Sequence, residues 1–174
     1  MDYFDSILVP QERLGVLIGE RGTTRKLIEA KTGIKIDVDS ESGEVRIKRT
    51  EDTAAAALKA LDIVKAIARG FSPEHALELL REDIYLKVID LEELVRNERS
   101  VARQRARLIG TEGKARRMLE ERTGARISIY GNTVAIIGDA ESVDVASEAV
   151  AKIATGMPHG NVYREIQRRQ SGWA

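Results

Sequence analysis

The chain has 174 residues, of which 43% are hydrophobic, and its 28 Lys and Arg residues are balanced by 28 Asp and Glu residues, so the formal net charge is zero. This composition fits one large or two small globular domains. The net charge gives no indication of a polyanionic partner. The lack of cysteine excludes disulfides and thiolate chemistry, and no apolar run approaches the roughly 18 residues of a membrane span. We therefore expect a cytoplasmic protein that does not enter a membrane.

The chain contains two copies of one unit, 91 residues apart. The stretch VLIGERGTTRKLIEAKTG, residues 16–33, matches RLIGTEGKARRMLEERTG, residues 107–124. Further along, DSESGEVRI in the first copy faces the shorter YGNTVAI in the second. A length difference confined to a polar, glycine-bearing stretch is typical of a hairpin loop. The sequence therefore predicts two domains of the same fold.

Each copy predicts the same order of elements: a strand, a helix ending in Leu-Ile, a Gly-x-x-Gly elbow, a second helix, two strands and a closing helix. Glycine follows the second helix in both copies, where a left-handed C-cap favours it, and the paired strands alternate apolar and polar residues. In the first copy these elements are expected at 6–9, up to 18, 19–22, 23–31, 34–38, 45–47 and 54–68. In the second they are expected at 84–89, up to 109, 110–113, 114–122, 127–129, 134–136 and 143–153.

This order predicts an α+β fold in which each copy forms a three-stranded antiparallel sheet with three helices on one face. Between the copies, Ser72-Pro73 is a typical helix start, and a last helix is expected after the Pro/Gly turn near the C-terminus. We expect the domains in the following arrangement: a first domain at 1–70, a linker helix at 71–82, a second domain at 83–157 and a C-terminal helix or tail at 158–174.

The Gly-x-x-Gly elbows, at 19–22 and 110–113, suggest phosphate binding. Glycine lets a backbone approach a ligand without a Cβ in the way. Each elbow also opens a helix, whose first amide hydrogens lack a partner within the helix and carry partial positive charge. Phosphate oxygens satisfy such donors. A helix-ending turn without a ligand is the alternative for a single elbow, but the recurrence and the order of elements favour binding of single-stranded RNA.

The stretches LGVLIGERGTTRKLIEAKTGIKIDV and ARLIGTEGKARRMLEERTGARISIY both resemble type I K-homology (KH) domains. The linker RGFSPEHALELLREDIYLKVID and the tail GMPHGNVYREIQRR resemble the archaeal two-KH proteins related to the eukaryotic small-subunit assembly factor called partner of Nob. The resemblance implies binding to the 3′ end of (pre-)16S ribosomal RNA in assembly and processing of the small subunit. It also implies a Nob-type endonuclease and the α subunit of archaeal initiation factor two as candidate partners. We expect a monomer without cofactor or metal.

The candidate RNA-binding residues lie in the two elbows and on the adjoining helices. They are Gly19, Glu20, Arg21, Gly22, Arg25 and Lys26 in the first copy, and Arg103, Arg107, Gly110, Thr111, Glu112, Gly113, Lys114, Arg116 and Arg117 in the second. For the basic residues on helices, the alternative is a solvated face with ion pairs such as Arg116–Glu120 and Arg117–Glu121.

An aliphatic groove beside each elbow is expected to hold unstacked bases. Its candidate residues are Ile18, Ile36, Val38, Ile109, Ile127 and Ile129. The alternative for each of them is plain core packing, because alternate residues of a strand must face the helices. Aromatic residues make up only 4% of the chain, so stacking on aromatic rings is not expected to be the main way in which bases are bound.

The second copy is expected to bind RNA more strongly. Residues 96–126 contain ten basic and four acidic residues, a net charge of +6, whereas residues 5–35 contain six basic and four acidic residues, a net charge of +2. Three of the arginines, at 103, 105 and 107, lie on the helix before the second elbow. The salt-dependent part of the affinity scales with the number of phosphates neutralised.

Residues within the elbows are expected to modify this affinity. Thr23 or Thr24 can cap the helix after the first elbow with its hydroxyl, whereas Lys114 cannot, which leaves the second set of amides free for phosphate. A Lys114→Thr change is therefore expected to weaken RNA binding and to raise stability. Glu20 and Glu112 place a carboxylate in each elbow, and its repulsion of phosphate predicts modest affinity for each domain.

Catalysis and protein binding are the alternatives to RNA binding. Catalysis is not expected, because His75 and His159 are the only histidines and no nucleotide-binding or hydrolase motif occurs. Asp37 and Asp39 could bind a divalent ion, but acids beside a polar turn are more often solvent-facing. The stronger alternative is a protein-binding scaffold of ribosome assembly or translation initiation, with weak RNA binding or with binding by the second domain only. The zero net charge and the acidic elbows favour that alternative.

Overall fold

The computed structural model describes residues 1–172, and the chain divides into two compact units, one from Met1 to Glu82 and one from Asp83 onward. The linker helix expected at 71–82 therefore falls within the first unit. The last two residues of the expected C-terminal tail, 173 and 174, lie outside the described residues. No helix in the described part of the chain is long and apolar enough to cross a membrane.

The first unit consists of one three-stranded sheet and its helices. Its elements in chain order are β1 (Tyr3–Leu8), α1 (Gln11–Ile18), a 3-10 turn (Glu20–Gly22), α2 (Thr23–Thr32), β2 (Ile36–Val38), β3 (Glu44–Arg49), α3 (Ala54–Ala68), α4 (Pro73–Ala76) and a second 3-10 turn (Leu77–Leu80). The strands are antiparallel in the order β1–β3–β2, so β2 lies at an edge of the sheet. Strand β1 begins three residues before the predicted strand at 6–9.

The second unit repeats this order and adds helices. Its elements are β4 (Tyr85–Asp90), α5 (Leu91–Leu94), α6 (Glu98–Ile109), a 3-10 turn (Thr111–Gly113), α7 (Lys114–Thr123), β5 (Arg126–Tyr130), β6 (Thr133–Gly138), α8 (Ala140–Ala154) and α9 (His159–Gln170). The antiparallel order β4–β6–β5 again leaves the middle strand of the chain, β5, at an edge. The predicted fold class, α+β with a three-stranded antiparallel sheet in each domain, is confirmed. Helix α5 was not predicted from the sequence.

The core of each unit forms where the sheet packs against its helices. In the first unit the alternating pattern of β3 places Val45 and Ile47, both fully buried, on the helical side, where Leu17, Ile28 and Ile63 are also fully buried. In the second unit one cluster joins the corresponding strands and helices, and helix α9 contributes Val162 and Ile166 to it. Burial of these side chains supplies most of the driving force for folding.

An arginine ties the helix before each elbow to the end of the closing helix. In the first unit Arg13 donates to the carbonyl oxygens of Ile67 (2.8 Å) and Phe71 (2.7 Å). In the second unit Arg107 donates to the carbonyl oxygens of Ile153 and Met157, both at 2.7 Å. Ile67 and Ile153 lie in the last turn of α3 and α8, and Phe71 and Met157 lie just beyond these helices, so each arginine binds both the helix end and the turn that follows it. The sequence predicted an RNA contact for Arg107, but the structure gives its guanidinium this clamping role.

Replacing Arg107 is expected to destabilise the second unit. Arg107→Leu removes charged hydrogen bonds to carbonyl groups and is expected to lower the free energy of unfolding by about 2 kcal/mol. The exposed Arg103 on the same helix provides the control, because Arg103→Leu breaks no hydrogen bond of the structure. Urea denaturation followed by circular dichroism measures both variants, and equal midpoints would contradict the clamping role.

Ion pairs hold α9 against α8. Arg169 pairs with Asp144 and, at 2.8 Å, with Glu148, while Lys152 pairs with Glu148 at 2.8 Å and with Glu165. The hydrogen bond from Arg169 holds the pKa of Asp144 below its ordinary value of 3.8. The hydrogen bond from Lys152 likewise holds the pKa of Glu148 below its ordinary value of 4.5.

These lowered pKa values predict an acid-dependent loss of stability. The stabilisation is complete above the ordinary values of 3.8 and 4.5 and is lost as pH falls through the lower pKa values of the folded protein. Because the groups are exposed, we expect a small effect. Arg169→Leu is expected to lower the urea midpoint at about pH 7 and to differ less from wild type at about pH 3. A constant difference between the two pH values would contradict this.

Candidate nucleic-acid interface

The two elbows adopt the same backbone conformation although their middle residues differ. Gly19 and Gly110 have φ of 73° and 72°, with ψ of 172° and 175°. The third elbow residues, Arg21 and Glu112, have φ of 55° and 54°, which is left-handed and unusual for a residue other than glycine. Each elbow therefore keeps one defined shape between the end of one helix and the start of the next.

The first glycine of each elbow is required by close packing as well as by its positive φ. A Cβ on Gly19 would lie 2.7 Å from the backbone nitrogen of Thr24, and a Cβ on Gly110 would lie 2.7 Å from that of Ala115. The second glycine differs, because the nearest atom to a Cβ on Gly22 would be 3.9 Å away, on a flexible lysine side chain. A Cβ on Gly113 would lie 3.4 Å from Nη1 of Arg117. The second glycine therefore faces only the ends of flexible side chains, and a ligand can approach its backbone.

Both helices that follow the elbows start without a side-chain cap. Gly22 and Gly113 occupy the N-cap positions in the left-handed conformation, and no side chain bonds to the first amides of α2 or α7. The expected capping by Thr23 or Thr24 is therefore wrong, because Thr23 already has helical dihedral angles and stands inside the helix. The predicted stabilisation by Lys114→Thr loses its basis. The amides of Thr23 and Lys114 themselves donate to the carbonyl oxygens of Glu20 and Thr111. An anion would therefore bind amides further into the first turn of each helix, which no side chain caps.

A glutamate on the helix after each elbow binds the edge strand. Glu29 accepts a hydrogen bond from the backbone N–H of Ile36 at 3.0 Å, and Glu120 accepts one from that of Ile127 at 3.0 Å. The candidate RNA ligand Arg25 lies 3.8 Å from Glu29. The candidate Arg116 pairs with Glu120, as the ion-pair alternative anticipated. Both arginines thus support a structural carboxylate, and the sequence pattern did not reveal these glutamates.

Arg117 supports the second elbow directly. Its Nη1 donates to the carbonyl oxygen of Glu112 at 2.7 Å. The structure shows this contact in place of the pair between Arg117 and Glu121 that was the alternative to RNA binding. A cation that binds an elbow carbonyl steadies the strained residue at that position.

The remaining candidate cations are available to a ligand. Arg21, Lys26, Arg103 and Lys114 are exposed, and within residues 1–172 none of them forms an ion pair or a side-chain hydrogen bond. Lys114 is the first residue of α7, next to the uncapped amides. Thr111 and the acids Glu20 and Glu112 are exposed in the elbows as well. The structure therefore leaves one free cation beside the start of α7 and one in the first turn of α2.

The six groove candidates separate into two groups. Ile36 and Ile127, with exposures of 1% and 3%, belong to the core, so their expected role in the groove is wrong. The four others are partly exposed beside the elbows and the edge strands; they are Ile18, Val38, Ile109 and Ile129. Along an antiparallel edge strand, every second residue points its backbone N–H and C=O away from the neighbouring strand. Ile36 is such a residue, because its N–H binds Glu29, and Val38, two residues later, is another. Each unit therefore combines an apolar strip with open backbone groups.

The sequence of each half matches KH-domain families. Residues 5–63 match the family model described as KH domain, and residues 85–171 match the model described as Eukaryotic type KH-domain (KH-domain type I). A KH domain-containing protein from Methanocaldococcus jannaschii is 44% identical over 93% of this chain and 72% of its own length. The pre-rRNA-processing protein pno1 from Emericella nidulans is 28% identical over 79% of this chain, which covers 55% of that protein.

Two solved structures from Pyrococcus horikoshii are similar to the whole chain. Dim2p superimposes with a TM-score of 0.88 at 46% sequence identity, covering 96% of this chain and 99% of that chain. A chain in the a/eIF2alpha-aDim2p-rRNA complex superimposes with a TM-score of 0.90 at 45% identity, covering 98% of this chain and 96% of that chain.

The two glycines of the second elbow are expected to differ in their tolerance of alanine. Gly113→Ala forces a left-handed conformation on a residue with Cβ and should cost about 1 kcal/mol of unfolding free energy. Gly110→Ala should cost clearly more, because its Cβ would also meet the start of α7. Urea denaturation of both variants, with Gly19→Ala and Gly22→Ala as the matched pair, measures this order. Equal costs would contradict the close-packing argument.

Proposed function

The chain belongs to the KH-domain family, with one KH domain in each half, and from this membership we propose that it binds single-stranded RNA at the 3′ end of (pre-)16S ribosomal RNA. The binding serves assembly and processing of the small ribosomal subunit. The observation that carries the proposal is the repeated elbow, in which an open glycine backbone leads into a helix without a side-chain cap. It is supported by the similar chain in the a/eIF2alpha-aDim2p-rRNA complex and by relatives named pre-rRNA-processing proteins.

The elbows bind the sugar-phosphate chain of the RNA. A phosphate approaches Gly22 or Gly113, where no Cβ blocks the backbone, and accepts hydrogen bonds from amides in the first turn of the following helix, which no side chain caps. The helix dipole favours the negative charge at this end. Lys26 and Lys114 each lie in or at the first turn and add a free cation. Contacts of this kind fix the strand without reading its sequence.

The bases lie in the groove beside the elbow. The partly exposed Ile18 and Val38 in the first unit, and Ile109 and Ile129 in the second, offer apolar surface to unstacked bases. Aliphatic contacts of this kind suit any base, because every base has an apolar face. The backbone groups of the edge strands that point away from β3 and β6 are donors and acceptors for base edges.

The second KH domain contributes more of the affinity than the first. Its elbow region, residues 96–126, has a net charge of +6 against +2 for residues 5–35. Arg103 and Lys114 remain free cations in the second domain, while Arg107, Arg116 and Arg117 serve its structure. The glutamates in the two elbows lower the RNA affinity of each domain. Two domains in one chain recover affinity, because binding by one raises the effective concentration of RNA at the other.

The proposal extends to partners and location. We assign the chain no enzymatic activity, a cytoplasmic location and a monomeric state. We also propose domain limits of 1–70 and 83–157, each followed by a helical segment that belongs to the same compact unit. The α subunit of archaeal initiation factor two is a proposed partner, supported by the a/eIF2alpha-aDim2p-rRNA complex of the similar chain. A Nob-type endonuclease is a second proposed partner.

A protein-binding scaffold is the second candidate function. It is favoured by the zero net charge and by the carboxylates of Glu20 and Glu112, which are exposed in the elbows. In this case the elbows would carry little RNA affinity, and removal of their function would leave RNA binding unchanged. Measurement of RNA binding by variants of the elbows therefore separates the two candidate functions.

Aspartate in the second elbow is expected to weaken RNA binding. The Gly110→Asp, Gly113→Asp variant places two carboxylates where the phosphate approaches and should raise the Kd for a short single-stranded RNA at least tenfold. The matched Gly19→Asp, Gly22→Asp variant should have a smaller effect, because its region is less basic. Fluorescence anisotropy over a salt series measures both, with circular dichroism to establish that each variant is folded. A folded second-elbow variant with unchanged Kd and a flat salt dependence would favour the scaffold.

A further inference from the structure

Arg105 occupies a position in the second KH domain where the first domain has a core leucine. It lies in α6, four residues before Ile109, so both side chains project from the same face of the helix. Shifting the sequence by 91 residues places Leu14 at the equivalent point, four residues before Ile18. Leu14 is buried, with 5% exposure. The packing of this position therefore suits an aliphatic side chain, and the guanidinium needs another explanation.

The guanidinium of Arg105 contains a buried donor without an acceptor. Its Nε is shielded from solvent and forms no hydrogen bond within residues 1–172. No ion pair of Arg105 occurs among those residues either, whereas its neighbour Arg107 has its acceptors on α8 and the following turn. The residue as a whole is partly exposed, so part of its side chain is accessible to solvent. A buried hydrogen-bond donor without an acceptor lowers the stability of the fold, and such donors normally have a partner.

We propose that Arg105 reads a base of the bound RNA, one that presents two adjacent acceptor atoms. This inference rests on the proposed RNA binding of the second KH domain. Guanine offers O6 and N7, and cytosine offers O2 and N3, to the planar fork of donors of a guanidinium. Adenine places an amino donor beside N7, and uracil places an N–H between its two carbonyls. Arg105 therefore selects guanine or cytosine over adenine and uracil at one position.

A base fits the position of Arg105 better than a phosphate does. The phosphate site lies at the start of α7, beyond Gly110, whereas Arg105 lies on α6 about 6 Å back along the helix from Ile109. Ile109 is one of the partly exposed residues of the apolar strip. A nucleotide held at the elbow therefore extends its base, and not its phosphate, along this strip. The first domain, with Leu14, reads no base at its equivalent position.

The test compares Arg105→Leu with the exposed control Arg103→Leu on a pool of ten-nucleotide single-stranded RNAs of random sequence. Bound and unbound fractions are sequenced to give a base preference at each position. Wild type is expected to favour guanine or cytosine over adenine and uracil about tenfold at one position. Arg105→Leu should abolish that preference and lower the affinity for the preferred RNA about tenfold. Arg103→Leu should weaken all RNAs alike and leave every preference unchanged.

Other results would overturn the inference. A uniform loss in Arg105→Leu, with preferences retained, would identify a phosphate contact, and no change at all would identify a packing residue. Should Arg105→Leu not fold, Arg105→Lys keeps the charge and the aliphatic stem but lacks the fork, and it should lose the preference with a smaller loss of affinity. Failure of the proposed function is distinguishable, because wild type and the Gly110→Asp, Gly113→Asp variant would then bind RNA equally weakly.

Discussion

The close approach of two helices across a glycine is the constraint on which each half of the molecule depends. At Gly19 and at Gly110 the chain passes so near the start of the next helix that a Cβ would lie 2.7 Å from a backbone nitrogen. This contact fixes the angle between the two helices and leaves the next helix to begin at a left-handed glycine without a cap. The packing requirement and the availability of the amides thus have one origin.

The two domains show how the same backbone supports different chemistry. Their elbow dihedral angles agree within a few degrees, yet the buried Leu14 of the first domain corresponds to the partly exposed Arg105 of the second. In both domains a glutamate accepts a hydrogen bond from a backbone amide near the start of the edge strand, which positions the strand without using the exposed cations. The structural charges and the ligand-facing charges are therefore largely separate residues.

Much of the fold followed from the sequence, because the glycines and the alternating apolar residues report local conformation directly. The roles of the charged side chains did not. Arg107 was expected at the RNA, but its acceptors are carbonyls 46 and 50 residues away, and no local pattern reveals them. Ile36 and Ile129 both lie on edge strands, but the core encloses the first and leaves the second partly open. Thr23 was expected to cap a helix whose cap position the glycine before it already occupies.

The two domains make the same arginine contact from different positions in the repeat. Arg13 and Arg107 reach corresponding carbonyl groups, yet they stand at non-equivalent positions, since residue 104 aligns with Arg13 and is a glutamine. That glutamine is buried and accepts a hydrogen bond from Arg107. Both domains therefore contain the contact, although the arginine that makes it occupies a different position in each repeat. Comparisons of such repeats by position alone would score both arginines as variable, although the contact itself is retained.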